Sequence, residues 1–125
     1  MSSKIRILVL DDLVEARECV AKLLMFESDM QVVGTAEDAA AGIDVALTLQ
    51  PDVVLLDLNL PAMDGAAAVE RLTSVAPLTR VITMSTSGPS VPAHQAVLAG
   101  ASVHLIKPFG ADELATTIPP RVRSR

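Results

Sequence analysis

The stretch Pro51-Asp52-Val53-Val54-Leu55-Leu56-Asp57 decides how this chain folds. It is an apolar strand that stops on a carboxylate. A buried strand has no use for a charge unless the charge sits at its carboxyl end, where the sheet opens to solvent. In open parallel α/β sheets that edge is where ligands bind. The run Ile5 to Leu10 repeats the pattern, because Asp11-Asp12 follows it directly. Two strands of one parallel sheet would bring the three carboxylates into a single crevice. Such a crevice calls for a cation, and the hard, oxygen-loving choice is Mg²⁺.

Working outward, apolar runs alternate with helix-like stretches. Strands are expected over Lys4 to Leu10, Gln31 to Ala36, Asp52 to Asp57, Arg80 to Met84 and Ser102 to Ile106. Helices are expected over Val14 to Glu27, Ala36 to Leu49, Asp64 to Val75, Val91 to Ala99 and Asp112 to Ile118. In the first helix Val14, Val20, Leu23, Leu24 and Phe26 are read as one apolar face. Asp64 suits an N-cap, Pro92 a first helical turn and Gly100 a helix stop. Five strands alternating with five helices imply parallel pairing through right-handed crossovers. The natural closure is a doubly wound five-stranded parallel sheet in the order 2-1-3-4-5. Its switch point lies between the first and third strands, which places Asp11, Asp12 and Asp57 together. Residues 1–118 read as one domain, and 119–125 as a linker or tail.

Composition narrows the function classes. The chain has 125 residues, half of them hydrophobic, and its only aromatics are Phe26 and Phe109. The core must therefore be built from Val, Leu, Ile, Ala and Met. Net charge is −5, but through Ile118 fifteen acidic residues face seven basic ones, or −8. A body this acidic is a poor nucleic-acid surface. The single cysteine, Cys19, excludes an internal disulfide. Met1-Ser2-Ser3-Lys4 does not open a signal peptide, and no apolar run approaches the ~20 residues of a membrane span. The expectation is a soluble cytoplasmic domain.

Taken together, the motifs resemble the response-regulator receiver family of two-component signalling, with its flavodoxin-like fold. The matching pieces are Asp11-Asp12 after the first strand, Asp57 ending the third, Ser85 ending the fourth and Lys107-Pro108 after the fifth. Asn59-Leu60-Pro61-Ala62-Met63-Asp64-Gly65 and Ala99-Gly100-Ala101 also match. Each piece is weak alone, but all of them occur in order at expected strand ends. A softer resemblance, in Lys22 to Glu27 and Lys107-Pro108-Phe109, is to receivers placed before a ParA/MinD-type ATPase or a DNA-binding helix-turn-helix.

The resemblance implies roles. Asp57 would accept a phosphoryl group from a sensor histidine kinase or phosphotransfer protein. Asp12 would ligate Mg²⁺ directly and Asp11 partly through water, with Asp57 and the backbone carbonyl of Asn59 completing the protein's share. Lys107 would pair with Asp57 across a cis Lys107-Pro108 bond. Ser85, 22 residues before Lys107, would be the switch hydroxyl. The face of the fourth helix, fifth strand and fifth helix would then control an output domain or partner, and such faces also support homodimers. No direct nucleic-acid or membrane contact is implied.

Two residues depart from the family pattern. His104 stands where Tyr or Phe is usual, and Thr86 where Ala or Gly is usual. On its own, His104 also reads as a partly exposed strand histidine. Gly65 reads as serving local backbone geometry, and Cys19 and His94 as ordinary helix residues. One alternative is a degenerate receiver that binds partners without phosphorylation. Another is a haloacid-dehalogenase-type phosphatase, disfavoured because Asp-x-Asp is absent after the first strand. A receiver would not be a conventional enzyme, though it assists its own phosphorylation and dephosphorylation.

Overall fold

The computed structural model describes residues 4–25, 27–60, 64–86 and 90–117. The expectations for Phe26, for residues 61–63 and for the 119–125 tail lie outside them. Ten elements alternate: β1 (Ile5–Leu10), α1 (Val14–Leu24), β2 (Met30–Ala36), α2 (Ala39–Leu49), β3 (Val53–Asp57), α3 (Gly65–Val75), β4 (Arg80–Ser85), α4 (Val91–Leu98), β5 (Val103–Ile106) and α5 (Ala111–Thr117). The strands form one five-stranded sheet in the order β2-β1-β3-β4-β5, with every pair parallel.

Apolar strand residues alternate between two cores. Ile7, Val9, Val53, Leu55, Ile82, Met84 and Leu105 pack with Val20 and Leu24 of α1 and Leu114 of α5. Leu8, Leu10, Val54, Leu56 and Val81 pack on the other face with Ala46 of α2, Ala68, Val69 and Leu72 of α3 and Ala96 of α4. This two-sided burial is why β1 and β3 read as continuous apolar runs.

The helix ends follow the local chemistry. Asp38 and Ser90 cap α2 and α4 through Ala41 N and Ala93 N, and Asp64 caps α3 through Ala66 N and Ala67 N. Pro92 occupies the first turn of α4. Gly100 follows that helix at φ +125°, a conformation that favours glycine.

Three expectations need correction. Val14 is exposed, not part of the buried α1 face, which is Val20 and Leu24 with Leu23 half-buried. At ~100° per residue, Val14 lies about 120° around the helix from Val20. Gly65 answers to close packing, since a Cβ there would meet Leu58 Cδ2 at 2.7 Å. The second helix begins at Ala39, later than Ala36, because Ala36 completes β2 and Asp38 is the cap.

Candidate functional site

Strand register builds the site. Leu10 of β1 pairs with Leu56 of β3, so the next residues, Asp11 and Asp57, stand side by side at the strand ends. Ser85 ends β4 opposite Ile106 of β5, so Lys107 leaves beside them, its amide donating to the Ser85 carbonyl at 2.7 Å. Asp11, Asp12 and Asp57 each bring a carboxylate oxygen within 4.8 Å of the others. Asp11 and Asp57 are buried, whereas Asp12 is exposed.

Hydrogen bonds fix the two buried acids. Asp11 Oδ1 accepts from Leu13 N at 3.1 Å, and its carbonyl accepts from Arg17 Nη1 at 2.7 Å. Asp57 Oδ1 accepts from Asn59 N at 2.9 Å. Asp12 does not cap α1, because the N-cap is Leu13, without a side-chain bond. The carboxylate of Asp12 thus stays uncommitted to the helix start.

Lys107 enters between the buried acids. Its Nζ donates to Asp11 Oδ2 at 2.6 Å and to Asp57 Oδ2 at 3.3 Å. The sequence reading pairs Lys107 with Asp57; the structure adds Asp11 as the nearer partner. The Lys107-Pro108 bond is cis.

Electrostatics follow from this packing. Burial pushes the Asp57 carboxyl up from its usual value, the Asn59 amide draws it back, and the Asp11 charge adds to the rise despite Lys107. For Lys107, burial alone would lower the ammonium pKa. The Asp11 hydrogen bond and the charges of Asp57 and Asp11 outweigh it, so the net direction is up. Three carboxylates against one ammonium carry a formal charge of −2, which a divalent cation would balance. An all-oxygen, carboxylate-rich set with one exposed member suits Mg²⁺, which keeps several waters when bound.

Thr83, Ser85 and His104 meet on the α4 side of the sheet. Thr83 pairs in register with His104. The His104 ring lies between two hydroxyls, with Nδ1 2.8 Å from Thr83 Oγ1 and Nε2 2.9 Å from Ser85 Oγ. His104 is half-buried, as the reading of it as a partly exposed strand histidine has it, and its ring is in addition held by the two hydroxyls. Thr86, Cys19 and His94 are exposed.

Sequence reasoning missed Arg17 and the Thr83 to His104 contact. The latter carries a signal in parity: Thr83 and Ser85 share a strand face, and any in-register histidine on β5 would meet both.

Residues 7–119 match the response regulator receiver domain family. The chain belongs to this family. A receiver is a signalling module, and this one has the flavodoxin-like fold. It is 38% identical over 130 aligned residues to a protein-glutamate methylesterase/protein-glutamine glutaminase of Caldanaerobacter subterraneus, covering 98% of this chain and 35% of that one. It is 33% identical over 108 residues to the nitrate/nitrite response regulator NarL of Escherichia coli, covering 86% and 50%. The receiver thus spans a third to a half of the length of these relatives. Among solved structures, the receiver domain of a NarL regulator from Mycobacterium tuberculosis superposes with a TM-score of 0.87 at 32% identity, covering 98% of this chain and 99% of that one. Among the described residues, no helix is long and apolar enough to cross a membrane.

Proposed function

We propose that this receiver is phosphorylated on Asp57 in a Mg²⁺-dependent reaction and thereby switches its α4-β5-α5 face. The observation that carries the reading is the convergence of Asp11, Asp12 and Asp57 within 4.8 Å, with Lys107 bonded to two of them. Asp11, Asp12, Asp57 and the Asn59 carbonyl would hold the metal. When bound, the cation would offset carboxylate charge and bind phosphoryl oxygens as a Lewis acid.

The chain's own groups then position the reaction. The Asn59 amide fixes the Asp57 carboxylate, and in-line placement supplies much of the acceleration. A carboxylate oxygen of Asp57 forms the new P–O bond. The P–N bond of a donor phosphohistidine breaks, and its electron pair stays on the leaving imidazole. Lys107 follows the added phosphoryl charge. The Ser85 hydroxyl donates to a phosphoryl oxygen, and the His104 ring moves with it.

A sensor histidine kinase or phosphotransfer protein is the donor that fits this chemistry. Exposed Val91, Leu98 and Ile106 on α4 and β5 support a docking face for an output domain or a second copy. Relatives named as a methylesterase and as transcriptional regulators suggest those outputs, and the ATPase stays a sequence-based alternative. The receiver itself would not act as a conventional enzyme, would not bind nucleic acid directly, and would work in the cytoplasm. The complete acidic set favours this reading over a phosphorylation-independent module.

Beryllofluoride with Mg²⁺, which stands in for the phosphoryl group, tests it. Amide resonances near residues 57, 85 and 104 should shift on titration. A silent spectrum there would refute the reading.

A further inference from the structure

We propose that Thr83 sets the tautomer of His104 and, through that ring, holds the Ser85 hydroxyl back from the phosphoryl site. The inference rests on the reading of Ser85 as a hydrogen-bond donor to the phosphoryl group and adds a positioning residue that does not itself reach the phosphate.

The Thr83 hydroxyl carries one proton and touches two groups: His104 Nδ1 at 2.8 Å and the Val103 carbonyl at 3.4 Å. A carbonyl only accepts. Each contact is a separate hydrogen bond, with its own proton, when Thr83 donates to Val103 and accepts from Nδ1–H. A neutral ring protonated on Nδ1 leaves Nε2 as an acceptor. Ser85 Oγ lies 2.9 Å from Nε2, so the Ser85 hydroxyl donates to the ring. That donation uses the only proton the hydroxyl has.

Ser85 must therefore give up His104 before it can donate to a phosphoryl oxygen. The opposite tautomer would reverse the chain. Nε2–H would donate to Ser85, and the serine proton would no longer be committed to the ring. Thr83 blocks this by occupying Nδ1. β4 supplies both hydroxyls from one face, and β5 supplies the ring in register between them.

The experiment is a long-range ¹H–¹⁵N spectrum of the His104 ring in mildly alkaline buffer, followed by titration with beryllofluoride and Mg²⁺. The wild type should show Nδ1 protonated and Nε2 bare, with Nε2 shifting as the phosphoryl mimic binds. Thr83→Val should mix the tautomers and tighten beryllofluoride binding about fivefold, the worth of one ordinary hydrogen bond. Thr83→Ser should restore wild-type behaviour. A wild-type ring carrying a proton on Nε2 would overturn the proposal, as would unchanged beryllofluoride affinity in Thr83→Val. If Thr83→Val does not fold, the wild-type ring spectrum alone decides. If the wild type takes up no beryllofluoride, the phosphoacceptor reading fails, and the ring spectrum still judges the relay separately.

Discussion

Lys107 and Asp11 are in direct contact, with the ammonium 2.6 Å from the carboxylate oxygen, closer than its 3.3 Å approach to Asp57. One cation thus serves two buried acids that leave neighbouring strands. The charge balance of the two acids therefore depends on Lys107.

Replacing Lys107 by Met should expose that dependence. Asp11 and Asp57 would face each other with no counterion. Breaking a fully buried pair costs about 3–5 kcal/mol. Lys107 is 18% exposed, which lowers the expected loss in chelating buffer to about 1–3 kcal/mol. Mg²⁺ should recover most of it. Urea midpoints with and without the metal check this, and an unchanged midpoint in chelator would contradict it.

The buried Asp57 carboxyl gives the protein a specific pH dependence. Its pKa is raised above the ordinary 3.8, chiefly by burial. Between those two values the folded protein holds a proton that the unfolded chain has released. Stability in chelator should fall as pH rises through that interval and keep the deficit above it. Lys107 adds no slope there, because its raised pKa lies above 10.5 and its contribution is lost only as pH climbs past that. Asp57→Asn removes the slope and should melt a few degrees higher than wild type at neutral pH in chelator. Parallel stability curves for the two proteins would refute the assignment.

Two aspartates should separate metal binding from folding. Asp12 is exposed and caps nothing, so Asp12→Asn should change stability by less than about 0.5 kcal/mol. It should nonetheless abolish most of the rise in melting temperature that Mg²⁺ is expected to give the wild type. Asp64→Ala removes cap bonds of 3.0 and 3.5 Å to α3. It should cost about 1 kcal/mol and leave the Mg²⁺ response intact. Thermal melts across a Mg²⁺ series distinguish the pair.

Gly42 tests packing away from the site. It is buried in α2, and a Cβ there would lie 2.2 Å from Leu10 Cδ2 and 2.5 Å from Leu10 Cγ. Helix propensity would favour Ala by about 1 kcal/mol. Overpacking costs about 1–3 kcal/mol, and Leu10 is fully buried. Gly42→Ala should therefore destabilise the fold, and a raised urea midpoint would show that Leu10 can yield.

The fold was legible because its central strands are buried on both faces. Apolar runs that stop abruptly on carboxylates are not subtle. Leu10-Asp11 and Leu56-Asp57 mark both the strand ends and the edge that carries the chemistry. What stayed hidden depended on neighbours distant in sequence. Nothing near Gly42 announces Leu10, and nothing near Gly65 distinguishes the Leu58 side chain from a backbone requirement. The preference of Lys107 for Asp11 turns on sub-ångström placement. The clasp of His104 by Thr83 and Ser85 needed the β4–β5 register, which hydrophobic pattern alone does not supply.

The central claim is that Asp57 accepts a phosphoryl group. Its most direct test is the intact mass of the protein after incubation with a small phosphodonor and Mg²⁺. The account predicts one added phosphoryl group on the wild type, labile to mild base and dependent on the metal, and none on Asp57→Asn. A wild-type mass that does not change, or an equal gain on Asp57→Asn, would contradict it.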